Sequence, residues 1–184
     1  MAQFLKLNQS LMISDNLKQV KSRIDSVQSR KKVELIAVSK TRSTKEIQEA
    51  VDAGQVHFGE NYLQESIEKI NFFKGSELIW HFIGPIQSNK TSAIADNFDW
   101  VHSVDRIKVA TRLSDQRNPA LGSLNILIQV NVDREETKSG VDIENVGEIV
   151  SEIESLPNIC LRGFMTIPSC LLYTSDAADD SQCV

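Results

Sequence analysis

The sequence has little cysteine, no long apolar run and no surplus of positive charge, and each shortage removes a class of function. Its three cysteines, Cys160, Cys170 and Cys183, have neither metal-ligand spacing nor the density of a disulfide scaffold. No apolar run approaches the roughly 20 residues needed to span a bilayer. Lys6 interrupts the short apolar start, so the N-terminus lacks the core of a signal peptide. A net charge of −5 argues against a nucleic-acid or anionic-membrane binder. The shortages together lead to the expectation of a cytoplasmic protein.

What is present is a regular alternation. With 184 residues, 41% of them hydrophobic and 24% charged, the chain is long enough for one domain with a sizeable core, and nothing in it requires a second. Leu17, Val20, Ile24 and Val27, at three- and four-residue spacing, predict an amphipathic helix over residues 14–30. Residues 33–38 are nearly all apolar and read as a buried parallel strand. After Ser39-Lys40-Thr41 comes Ser43-Thr44-Lys45-Glu46, a capping box that opens a helix with Ile47, Ala50 and Val51 inward and Gly54 as its stop. Strands are then predicted over residues 56–58, 78–83, 100–104, 125–132 and 159–165, and helices over 61–70, 88–97, 106–116 and 142–154. Leu63, Ile67 and Ile70 form the expected inner face of the helix over 61–70. The pattern is α/β, about six strand–helix units behind a leading helix.

One more absence bears on architecture. An open doubly wound sheet carries a glycine-rich phosphate turn after its first strand, whereas here that turn is Ser39-Lys40-Thr41. A (β/α)8 barrel asks for two more strands, in roughly 250 residues. Periodicity alone leaves the two open.

Several segments, in chain order, carry more than periodicity. They are Ala37-Val38-Ser39-Lys40-Thr41, Phe58-Gly59-Glu60-Asn61-Tyr62, Trp80-His81-Phe82-Ile83-Gly84-Pro85-Ile86-Gln87-Ser88-Asn89-Lys90 and His102-Ser103-Val104-Asp105. Gln129-Val130-Asn131-Val132 follows, leading to Lys138-Ser139-Gly140, and Leu161-Arg162-Gly163-Phe164-Met165-Thr166-Ile167-Pro168 closes the series. Over residues 17–168 the chain resembles the pyridoxal phosphate homeostasis proteins, the YggS/PROSC group. The resemblance implies a single-domain (β/α)8 TIM-type barrel like the N-terminal domain of alanine racemase, with pyridoxal 5'-phosphate at the C-terminal ends of the strands. It also implies a phosphate site made by a serine and a Gly-Thr pair, with an arginine facing the pyridine nitrogen. No segment here matches these, so the barrel domain, residues 1–169, is expected to be incomplete. Residues 170–184 show no strand run and no amphipathic period, and are expected to be a non-homologous, disordered or foreign tail.

The resemblance makes Lys40 the Schiff-base lysine. Such a lysine must be able to shed its proton, which partial burial at a strand end favours; without the motif, a solvated loop lysine would be the commoner reading. Asn61 is read as a cap for the following helix, as a partner for the cofactor's ring substituents, or as both. Glu60 beside it reads as structural. Ser103 is either a donor to the cofactor or a turn serine, and Met165 either packs its thioether against the ring or belongs to the core. His81 reads as a satisfied core histidine. His57 and His102 have no metal spacing and no carboxylate cluster with them. Lys90 and Lys138 read as surface lysines, with attraction of an anionic ligand as the alternative. Gly84-Pro85 and Gly163 are backbone devices that shape the rim.

The function implied is a monomeric, non-catalytic carrier that holds pyridoxal phosphate on Lys40 and hands it to enzymes lacking it. The alternative is a racemase-like enzyme, which would need a second acid/base opposite the lysine from another domain or subunit. A third reading is a truncated chain that does neither, with open strand edges and poor solubility.

Overall fold

The structure, a computed structural model, describes residues 8–27, 33–133 and 139–168. Lys138, Cys170, Cys183 and the tail lie outside the described residues, as do positions 28–30 of the expected first helix. The elements run α1 (Asn8–Ser26), β1 (Ala37–Val38), α2 (Thr44–Asp52), β2 (His57–Glu60), α3 (Leu63–Phe72), β3 (Ile79–Phe82), α4 (Thr91–Asn97), β4 (Trp100–Val104), α5 (Ile107–Gln116), β5 (Leu124–Asn131), β6 (Val141–Asp142), α6 (Val146–Glu154) and β7 (Ile159–Met165).

Spatial order follows chain order. β1, β2, β3, β4 and β5 pair as parallel neighbours, and β7 lies parallel along β5. The two-residue β6 pairs with the end of β5. Parallel neighbours joined by right-handed crossovers put every connecting helix on one face of the sheet, as in successive staves of a (β/α) barrel. Among the described residues the sheet does not close: β1 and β7 each keep one unpaired edge.

Burial shows the two faces. Along β5, Leu124, Ile126, Ile128 and Val130 are buried and alternate with half-buried Asn125, Leu127 and Gln129. The buried set meets Val109, Ala110 and Leu113 of α5 and Ile149 and Ile153 of α6 in one apolar cluster, continued by Phe58, Trp80, Phe82, Ile94, Phe98 and Val101. Burying each large apolar side chain contributes about 1.5–3 kcal/mol. At the loop after α5, the buried Arg117 guanidinium donates to the carbonyls of Phe98 at 2.9 Å, Ala95 at 2.5 Å, Gly122 at 2.9 Å and Leu121 at 3.2 Å.

The capping box forms as expected: Glu46 N–H donates to Ser43 Oγ at 3.3 Å, and Ser43 N–H donates to Glu46 Oε2 at 2.8 Å. Gly54, at φ +80°, follows the C-cap of α2. Other expectations are corrected. The first strand is Ala37–Val38 only, because its ladder to β2 consists of Ala37 with Phe58 and Val38 with Gly59. α1 begins at Asn8, ahead of the expected start, and ends at Ser26. The helix expected over 142–154 is divided into β6, a 3-10 turn Ile143–Asn145 and α6. Asn61 does not cap α3: Tyr62 holds that position and makes no side-chain cap.

Candidate functional site

After Val38 the chain reverses through Ser39-Lys40-Thr41, closed by Arg42 N–H donating to Ser39 O at 3.0 Å. Thr41 sits at φ +62°, where β-branched residues are rare. It is held from α3, its N–H donating to Glu65 Oε1 at 2.7 Å. On the other side of Lys40, the Ser39 carbonyl accepts from Lys69 Nζ at 2.6 Å, and Ser39 Oγ donates to Glu60 Oε1 at 2.6 Å. Lys69 Nζ also donates to Glu60 Oε1 at 2.7 Å and Glu65 Oε1 at 2.5 Å. An ammonium has three N–H donors, and here each has an acceptor.

Glu60 is 0% exposed and Lys69 4%. Burying such a group costs several kcal/mol per ion unless the geometry is good. The bonds made in return tie both peptides that flank Lys40 to β2 and α3. Lys40 itself is half-buried, and its Nζ has no hydrogen bond or ion pair among the described residues. A fixed backbone thus carries an uncommitted amine.

The next strand ends interlock with this turn. A Cβ on Gly84 would meet Asn61 O at 2.2 Å and Asn61 Cα at 2.8 Å, so the position accepts only glycine while Asn61 stays where it is. Ile83 N–H donates to Glu60 O at 2.9 Å, and Ser103 Oγ donates to Gly84 O at 2.5 Å. The rim therefore runs from Ser39 through Glu60 and Asn61 to Gly84 and Ser103. Asn61 Oδ1 is buried with no hydrogen-bond partner, a condition costing about 1–3 kcal/mol when nothing meets the acceptor. Ser103 is buried and its one hydroxyl proton is engaged by Gly84, leaving it acceptor capacity.

Along the strands from this rim lie all three histidines of the chain. His81 Nε2 is 3.0 Å from His57 Nδ1, and His81 Nδ1 is 2.9 Å from His102 Nε2. The His81 ring also stacks on Trp100, centroids 5.6 Å apart and 21° between planes. Burial pushes the His81 imidazole down to about 3, helped by the charges its two histidine neighbours would carry, and burial lowers His102 as well. In each of the two contacts one ring nitrogen donates and the other accepts. Glu34 Oε2 lies 4.0 Å from His57 Nε2, at the His57 end of the row. The expected core histidine is thus the centre of a row of three.

Lys40, Asn61 and Ser103 are brought onto one continuous rim. Met165 stands at the end of β7, in register with Gln129 and at the opposite edge of the sheet from β1. Gln129 Nε2 donates to Ser139 O at 2.8 Å, which draws the Ser139-Gly140 segment to the end of β5. Lys90 immediately precedes α4 and is exposed. Sequence reasoning passed over Lys69 and Glu65. Their signal was a Glu–Lys pair four residues apart on α3, which ordinarily marks a solvated helix face. Among the described residues there is no cluster able to hold a metal ion and no helix long and apolar enough to cross a membrane.

The parallel α/β sheet is that of the alanine racemase N-terminal domain, the family whose pattern the chain matches over residues 13–183. Within it, the chain belongs to the pyridoxal phosphate homeostasis protein family. It is 46% identical to the pyridoxal phosphate homeostasis protein of Escherichia coli (strain K12) over 165 residues, covering 85% of this chain and 70% of that protein. Against the protein of the same name from Pasteurella multocida (strain Pm70) it is 45% identical over 179 residues, covering 94% and 76%. Among solved structures it is similar to PipY of Synechococcus elongatus PCC7942 with PLP bound, at TM-score 0.76 and 34% identity, covering 90% of this chain and 76% of that one. Alanine racemase from Corynebacterium glutamicum shares the fold at TM-score 0.68 and 18% identity, with 88% of this chain and 44% of that one covered.

Proposed function

We propose that this chain holds pyridoxal phosphate through the amine of Lys40, does not turn over a substrate, and serves the cytoplasmic supply of the cofactor. The observation that carries this reading is the uncommitted amine of Lys40 on a turn clamped from both sides, on the same rim as the buried, unpartnered Asn61 Oδ1. It is supported by relatives named for pyridoxal phosphate homeostasis and by PipY, which is similar in fold and has PLP bound.

The residues present fit the group. Pyridoxal phosphate supplies an aldehyde, which condenses with an unprotonated amine and releases water. Among the described residues no ion pair has to be broken before Lys40 offers that amine. Asn61 Oδ1 is an acceptor in need of a donor, and a ring hydroxyl is one. Ser103 serves the rim through the Gly84 carbonyl, and Met165 offers a polarizable thioether to a ring face from the end of β7. The chain acts as a monomer, and enzymes lacking their cofactor are its recipients.

The test is a mixture of the protein with pyridoxal phosphate, reduced by borohydride and mapped by peptide mass. A single adduct on Lys40, absent from Lys40→Ala, is the expected result. The same adduct at an unrelated lysine in both proteins overturns the assignment. Interconversion of alanine enantiomers by the loaded protein would overturn the non-catalytic part.

A further inference from the structure

We infer that Lys69 and Glu65 of α3 are positioning residues for Lys40, setting the turn from which its amine projects. The inference rests on the reading of Lys40 as the attachment point.

The bonds themselves make the case. Lys69 Nζ and Glu65 Oε1 are 2.5 Å apart, and from this pair one bond goes to each peptide flanking Lys40. Lys69 takes the Ser39 carbonyl at 2.6 Å and Glu65 takes the Thr41 N–H at 2.7 Å. The second bond holds Thr41 at φ +62°, which a threonine would otherwise leave. A requirement of packing alone would be met by apolar side chains at positions 60 and 69 together, because replacing a whole buried ion pair by well-packed hydrophobic residues is often neutral or stabilising. Here Lys69 is 4% exposed and its ammonium stands between two carboxylates, with every donor spent on the segments around Lys40 and on the glutamates. The pair lies on the helix that follows β2, so it fixes the end of β1 relative to Asn61 as well. Lys69 and Glu65 touch no reacting atom; they act through the backbone of Ser39 and Thr41.

Three variants of the full chain separate this role from simple stability. Glu65→Ala removes the Thr41 clamp at a side chain that is 32% exposed, so the core is left intact. Glu65→Gln keeps an amide oxygen for Thr41 N–H and Lys69 and is the conservative rescue. Lys69→Met removes the ammonium; should it fail to fold, Glu65→Ala alone decides.

Two measurements are made below the melting transition of each variant. The first needs no cofactor: native-state cleavage by a lysine-specific protease after Lys40. We expect it to be about tenfold faster in Glu65→Ala and Lys69→Met, with cleavage at other lysines unchanged and Glu65→Gln like the parent. The second is the visible circular dichroism of the protein loaded with pyridoxal phosphate. Glu65→Ala is expected to lose most of that signal and about tenfold in affinity, while borohydride still traps the cofactor on Lys40. Parent-like cleavage after Lys40 in Glu65→Ala overturns the inference whatever the cofactor does, as does a parent-like dichroism. If instead the parent gives no adduct on Lys40 while the cleavage contrast holds, the clamp stands and the attachment reading falls.

Discussion

The backbone of Asn61 occupies the place where a side chain on Gly84 would begin, its carbonyl oxygen 2.2 Å from that Cβ position. Gly84→Ala must therefore push apart the ends of β2 and β3. Overpacking of this kind costs about 1–3 kcal/mol, readable as a lower midpoint in urea. Because Asn61 moves with it, binding of pyridoxal phosphate should weaken more than the stability change alone would suggest, which titration well below the unfolding midpoint will show.

The histidine row predicts sensitivity to acid. His81 and His102 have folded-state values below that of an unfolded histidine, His81 at about 3. Below pH 6.5 the unfolded chain takes up protons at these sites that the folded chain refuses. Stability is therefore full above about pH 6.5 and falls as pH drops toward 3, at about 1.4 kcal/mol per pH unit for His81. His81→Gln should flatten this slope in urea unfolding followed between pH 7 and pH 4. An unchanged slope would show that His81 is protonated in the folded state.

Arg117 is a bolt between the end of α4 and the loop after α5. Burial holds its guanidinium below the ordinary arginine value, with Asp99 and Asp96 opposing that shift. Arg117→Met leaves the carbonyls of Ala95, Phe98, Leu121 and Gly122 without this donor. A loss of about 2–4 kcal/mol is expected in denaturant unfolding. Arg117→Lys should recover only part of it, because an ammonium cannot span the same four carbonyls as a planar fork.

Lys40→Ala should separate fold from function in the opposite way. With no partner to lose among the described residues, the variant should unfold within about 0.5 kcal/mol of the parent. Its reducible adduct with pyridoxal phosphate should vanish. A large drop in melting temperature would show that Lys40 supports the fold.

Much of the architecture was legible because it rests on short-range rules. Ser43 and Glu46 reach each other's backbone across one turn, so the capping box could be read directly and formed as expected. The strands over Trp100–Val104 and Ile159–Met165 matched their apolar runs. The first strand did not: Val33, Leu35 and Ile36 are apolar like the residues after them, yet the ladder to β2 includes only Ala37 and Val38. Asn61 has the chemistry of a helix cap, but its backbone lies close against Gly84 and Tyr62 takes the cap position of α3. The inner face of α3 formed in part as expected, with Leu63 and Ile70 packed against the core, and it is wider than the apolar spacing implied. Leu63, Ile67 and Ile70 are half-buried, whereas Ser66 and Lys69 are the buried ones.

The sequence by itself determined the alternation of strand and helix, the turn that presents Lys40, and the family to which those motifs belong. Each depends on residues within a few positions of one another, or on motif identity. Only the tertiary structure decided which polar atoms are paired. Lys69 is tolerable in the interior because Ser39, Glu60 and Glu65 arrive from a strand end, a neighbouring strand and its own helix to accept its three hydrogen bonds. His57, His81 and His102 become one row only when β2, β3 and β4 fall into register. Hydrogen bonds act over about 3 Å, so a site made of them exists only once distant segments have been folded into contact.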